Sequence, residues 1–410
     1  MRRYTKRMSS TKRQNKPTKW DLQFKVFQKK DRMIKGITLA VVCVIIILAG
    51  FFIPNESIQN GEKGIVYYKG KVIEVQEDTT VVDEATEGVR RGSQKLLIEI
   101  TEGPDKGKII TLDNYLSALY NIYAKEGTKL VLRATMYEEG PNYSIYNYDR
   151  TTVLYGFVAL FVLFLCGIGG KKGIMALLGL GFTLLAVIRI LLPLLIKGYP
   201  AVPVTLILII VTTIISFIFL DGVNKKTVAA AAGTIAGVIL SGSFAYAAGM
   251  IGHVSGFQME EAESLLLIAG TDGIKIKNLL VCGVLIASLG AVMDVAMSIA
   301  SSVHELQEVN HTLSKAELFR SGMNIGKDAM GTMANTLILA FTGSSLNLLL
   351  MIYSYGIPYS QLINTDIIAI EIIKGITGSI GIVLTVPFVA FVSSRIEGHA
   401  IQSTNKAKAA

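Results

Sequence analysis

Long unbroken apolar runs alternate with shorter polar stretches along the chain, and the runs fall into two blocks. The first, Gly36–Ile53, stands alone. Seven more come after a polar interval: Thr152–Gly167, Gly173–Ile196, Val202–Leu220, Val228–Met250, Asn278–Ser302, Gly331–Tyr353 and Gly375–Ser393. A helix needs about 20 mostly apolar residues to cross a bilayer, so the pattern predicts an all-α polytopic membrane bundle of about eight spans. The interval 54–150 reads as strands instead. Lys71–Val75, Lys95–Ile100 and Lys129–Arg133 are short, aliphatic and partly alternating, and Gly103-Pro104-Asp105-Lys106-Gly107 is turn chemistry between two of them. About five such strands predict a small β domain, an OB-like barrel or a small sandwich. The expected organisation is therefore a basic arm (1–35), an anchor (36–53), a β-rich domain (54–150), a seven-helix membrane domain (151–395) and a tail (396–410).

Charge orients this arrangement. Residues 1–35 hold thirteen Lys or Arg against Asp21 and Asp31. Such an excess beside a first span is a topology signal and a contact for anionic lipid, which accounts for the net charge of +9 without a nucleic-acid partner. With the arm inside, Lys171-Lys172, Lys225-Lys226, the group Lys315, Arg320 and Lys327, and the tail cations Arg395, Lys406 and Lys408 all fall on the cytoplasmic side of eight spans. Both termini are then cytoplasmic, and the β domain is extracytoplasmic. Gly36–Ile53 lacks a small-residue cleavage site and reads as a retained anchor, a cleaved signal being the alternative. Segment 253–277 is expected to be interfacial or re-entrant. The three cysteines, Cys43, Cys166 and Cys282, each lie alone in an apolar run, so no disulfide framework or thiolate metal site is implied.

Polar chemistry enters the apolar runs at few places. In the sixth, Ala287, Ala291, Asp294, Ser298, Ser301 and Glu305 fall on one helical face, while Leu289, Val292, Ala296, Ile299 and Val303 cover the rest. Ionisable groups at that depth are costly and usually face protein or water. The stripe is therefore expected to look inward and the apolar side towards lipid. In the seventh run Asp328, Thr332, Asn335 and Thr342 share a face. Carboxylates among hydroxyls and an amide can take up a proton or small cation and hand it on. A buried Asp tying two helices together is the structural alternative. Arg189, followed by Pro193, is expected to snorkel outward or to meet Glu371, and Glu371 can also pair with Lys374 three residues on. Ala229, Gly233, Gly237 and Ser241 recur every four residues, a ladder that admits another helix at close range, in the same chain or a second one. His304, Glu308 and His311 share a face but do not form a His-Glu-x-x-His pattern, and a solvated hairpin explains them without metal. No Walker loop, nucleotide fingerprint or nucleophile motif occurs, so neither a cofactor nor an enzyme activity is expected.

The stretches Gly169–Gly173, Asp221–Thr227, Gly290–Ser302 and Gly326–Thr332 resemble the YibE/F family of bacterial membrane proteins, over about residues 150–395. The resemblance implies a polytopic plasma-membrane protein treated as a permease, with a second YibE/F-like subunit or another copy of itself as partner. A span bearing an acid, then a helical hairpin and a polar span, is also similar to the core of resistance-nodulation-division and SecD/SecF-type transporters, though those have six spans in the unit and a larger outer domain. The expected function is secondary transport or proton-coupled export, with Asp294, Ser298, Asp328, Thr332 and Asn335 as relay and Arg189, Glu305 and Glu371 as secondary candidates. The alternative is a non-transporting scaffold that recruits partners through its outer domain.

Overall fold

The structure is a computed structural model that describes residues 64–137, 140–254, 256, 265 and 278–408, with side chains as far as Glu397. The basic arm, the first apolar run and most of 253–277 lie outside the described residues. What is described forms two compact units that part after Gly170.

The first unit carries one antiparallel sheet of six strands: β1 (Ile65–Asp78), β2 (Val81–Asp83), β3 (Val89–Ile100), β4 (Ile109–Leu116), β5 (Lys129–Tyr137) and β6 (Gly140–Tyr148). β3 lies between β4 on one edge and β1 on the other, β2 pairs with the start of β3, and β5 and β6 follow beyond β1. Alternate residues (Leu96, Ile98 and Ile100; Leu130, Leu132 and Ala134) point to one fully buried face, and the sheet curls over them as a half-barrel. It is a single curled sheet, neither a closed barrel nor a sandwich. Gly103–Gly107 makes the β3–β4 connection; Gly103 has φ 98°, and a Cβ there would lie 2.3 Å from the Tyr68 ring. Asp105 in that turn accepts a hydrogen bond from the Tyr143 hydroxyl at 2.7 Å.

Helices make up the rest. α1 (Thr151–Ala186) continues through a π-helical turn, Val187–Leu191, into α2 (Leu192–Ile196). The sequence pattern places two spans here. The structure breaks α1 at the non-helical Gly170 (φ 53°, ψ −131°), a kink between two helices that falls where the loop is expected. Then come α3 (Ala201–Asp221), α4 (Lys225–Ile251), α5 (Leu279–Val309), α6 (Lys315–Ser344), α7 (Leu346–Ser354), a single turn α8 (Tyr359–Leu362), and α9 (Asp366–Lys408), which carries the last apolar run on through the expected tail. The α3–α4 turn is built by the motif Asp221–Thr227. Asn224 caps α4 by accepting from Thr227 N, donates to the Asp221 carbonyl, and leaves Lys226 3.1 Å from the Asp221 carboxylate. Among the described residues, five helical segments are long and apolar enough to cross a membrane, six when α6 and α7 count as one bent span.

α4, α5, α6 and α9 form the packed core, with α3 against α4 and α5. Their mutual directions follow from contacts at small residues. On α4, Gly233 meets Val389, Gly237 meets Thr385 and Ser241 meets Gly381, so α4 and α9 are antiparallel. Gly322 and Gly326 of α6 meet Val303 and Ile299 of α5, again antiparallel; Gly237 and Gly242 of α4 meet Val292 and Leu285 of α5 in the same antiparallel sense, so α5 and α9 run the same way. The partner of the small-residue ladder is thus α9 of the same chain. The expected straight seventh span differs more. Its helix begins sixteen residues earlier than Gly331, at Lys315, behind a Ser314–Glu317 capping box, and bends by 61° at Ser345. There Thr342 donates its hydroxyl to the Ile338 carbonyl and Ser344 to that of Phe341, the side-chain competition that kinks helices at Gly/Ser runs.

Candidate functional site

Asp294 sits fifteen residues from either end of α5, at its midpoint. The register of α5 against α6 (Val303 with Gly322, Ile299 with Gly326) sets Asp294 level with Gly331 and Thr332, and Ser298 level with Lys327 and Asp328. Midway along the bundle the two helices thus present two carboxylates, Asp294 and Asp328, with Ser298, Thr332 and Asn335 within about two turns. All five are exposed.

That exposure corrects the expected orientation. Val292, Ala296, Ile299 and Val303 are fully buried in the core, and the polar stripe lies on the outer surface of α5 rather than inside. The reason is packing. α5 is flanked by α3, α4, α6 and α9, whose glycines accept its branched side chains: Gly237 takes Val292, Gly242 takes Leu285 and Gly326 takes Ile299. The apolar side therefore fills the core, and among the described residues the stripe is left on the uncovered side. Glu305 is likewise exposed, as is Arg189 on the π-helical turn.

The remaining polar contacts join residues far apart in sequence. Ser241 on α4 donates to the Thr377 carbonyl at 3.0 Å and lies 3.5 Å from Ser288, which ties α4, α5 and α9 together at one buried level. Glu371 takes two partners, Lys374 Nζ at 2.7 Å and Ser345 Oγ at 2.7 Å, the latter at the bend between α6 and α7. His304 lies 2.9 Å (Nδ1) from Glu397 on α9 and 3.4 Å (Nε2) from Glu308. Among the described residues no cluster of His, Cys, Asp and Glu is arranged to hold a metal ion. Ser345 and Glu397 are absent from the sequence-derived candidates. A serine inside an apolar run and a lone acid 93 residues from its histidine carry no periodic signal.

No curated protein and no solved structure matches the chain. Two family models do. Residues 66–148, the curled sheet, match the YibE/F family N-terminal domain, and residues 157–399, the helices, match the YibE/F-like protein family. Together these matches cover most of the sequence, and the chain belongs to the YibE/F family.

Proposed function

We propose that the protein is a secondary transporter or proton-coupled permease of the plasma membrane in which Asp294 and Asp328 carry a proton or small cation. The observation that supports this reading is their shared level at mid-bundle, beside Ser298, Thr332 and Asn335. Two carboxylates amid hydroxyls and an amide can exchange one positive charge between them without a metal or cofactor. Eight spans result if α1 divides at Gly170 and its second half runs on with α2 as one span, α6 and α7 form one bent span, and 36–53 supplies the first. Both termini are then cytoplasmic. At bilayer depth a carboxylate needs protein or water beside it. A second YibE/F-like subunit, or a second copy of the chain, covers the polar face and completes the path.

The test is flux. Asp294→Asn keeps the shape and removes the charge. In proteoliposomes with an imposed proton gradient, the variant should lose proton-coupled flux at least about tenfold, the effect of roughly 1.4 kcal/mol or more, at unchanged membrane abundance. If Asn at 294 supports full flux, Asp294 carries nothing. A second reading, a scaffold that recruits partners, is favoured by the position of the stripe outside the packed core. On that reading Asp294→Asn changes the proteins that co-purify and leaves ion movement alone.

A further inference from the structure

The bend at Ser345 opens a cavity of about 310 Å³ between α6, α7 and α9. Its walls are Ile338, Phe341, Leu349 and Ile372, and its polar groups are Thr342, Ser345 and the Glu371 carboxylate; among the described residues no Lys or Arg lines it. An apolar pocket of this size with a few convergent polar groups is the usual form of a small-molecule site. It is separate from the polar face at Asp294. Along α9 it lies about eleven residues before the level of Asp294, about 16 Å away, at the end of the bundle where α9 begins. Discontinuous helices commonly build binding sites in transporters because the break frees polar groups at membrane depth.

The geometry points to an amphiphile with an ammonium head and an aromatic or aliphatic body as the occupant. Ser345 Oγ donates to one Glu371 oxygen and Lys374 Nζ to the other. An ionised carboxylate offers about four lone-pair sites, so two remain for the N–H groups of a ligand. Glu371 is among the lining residues and its partner Lys374 is not. The ammonium bonds Glu371, and the body lies against Phe341, Leu349 and Ile372. A carboxylate head would meet Glu371 with like charge, and an alcohol would form only a weaker hydrogen bond with it. This goes beyond the proposed transport, because binding is read without flux and stands or falls separately.

The full chain in phosphatidylcholine nanodiscs is dialysed against 4-phenylbutylamine, with 4-phenylbutanol and 4-phenylbutanoate as comparisons and empty nanodiscs as blank. The amine should bind saturably and on the order of tenfold more tightly than either analogue. Glu371→Gln should weaken it by a similar factor. Gly375→Phe fills the cavity from α9, where an added Cβ meets nothing within 4 Å, and should abolish binding with the thermal melt unchanged. If Glu371→Gln fails to fold, Gly375→Phe decides. Equal binding of all three compounds, or full binding by Gly375→Phe, overturns the assignment.

Discussion

A side chain's chemistry is set by its immediate neighbours. Burial, followed by the hydrogen bond to Asp105 and the charge of that group, pushes the Tyr143 hydroxyl up to about 12 from an ordinary value of 10.0. The neutral phenol is the form the fold favours. Stability linked to it is complete below pH 10 and drains away as pH rises through about 12. A ¹³C-labelled tyrosine resonance that vanishes in Tyr143→Phe should titrate at about 12. Titration near 10 would mean that the Asp105 contact does not form. Asp294 teaches a different lesson at the same scale. Spacing alone gathers Ala287, Ala291, Asp294, Ser298, Ser301 and Glu305 on one face, and in the structure these residues are all exposed or half-exposed. Spacing does not say which side of a helix its neighbours cover. That depended on glycines of α4 and α6 distant in sequence, and so the direction of the stripe was illegible.

At the scale of elements, apolar runs locate helices well and their interruptions poorly. Val202–Leu220 and Val228–Met250 fall inside α3 and α4 within a few residues. The bend at Ser345 was not foreseen, because it arises from hydroxyls of Thr342 and Ser344 bonding carbonyls of their own helix, which leaves mean hydropathy unchanged. The small-residue ladder on α4 was legible as a close-packing face, and the structure supplies its partner. A methyl on Gly237 would lie 1.7 Å from Thr385 Oγ1 and 3.1 Å from Val292. Gly237→Ala should therefore destabilise the bundle by about 1–3 kcal/mol in reversible unfolding. Gly290→Ala on α5, where an added Cβ meets nothing within 4 Å, should be close to neutral. Equal effects of the two would mean that α4 and α9 are not in contact at this level.

For the whole molecule, direction along the chain is the testable quantity. The contacts run α4 and α6 against α5 and α9, the alternation that basic connectors imply when read by the positive-inside rule. In a cysteine-free background, Ala118→Cys in the loop after β4 should react with a membrane-impermeant maleimide on intact cells. Lys225→Cys at the start of α4 should react only after permeabilisation. Reversal of the two patterns would invert the orientation. The keyed seam between α4 and α9 also governs how such a molecule could move. Val389 sits over Gly233, Thr385 over Gly237 and Gly381 over Ser241, so neither helix can slide along the other without lifting each knob from its socket. The pair behaves as a fixed spindle, and on the proposed transport reading the moving part lies outside this seam.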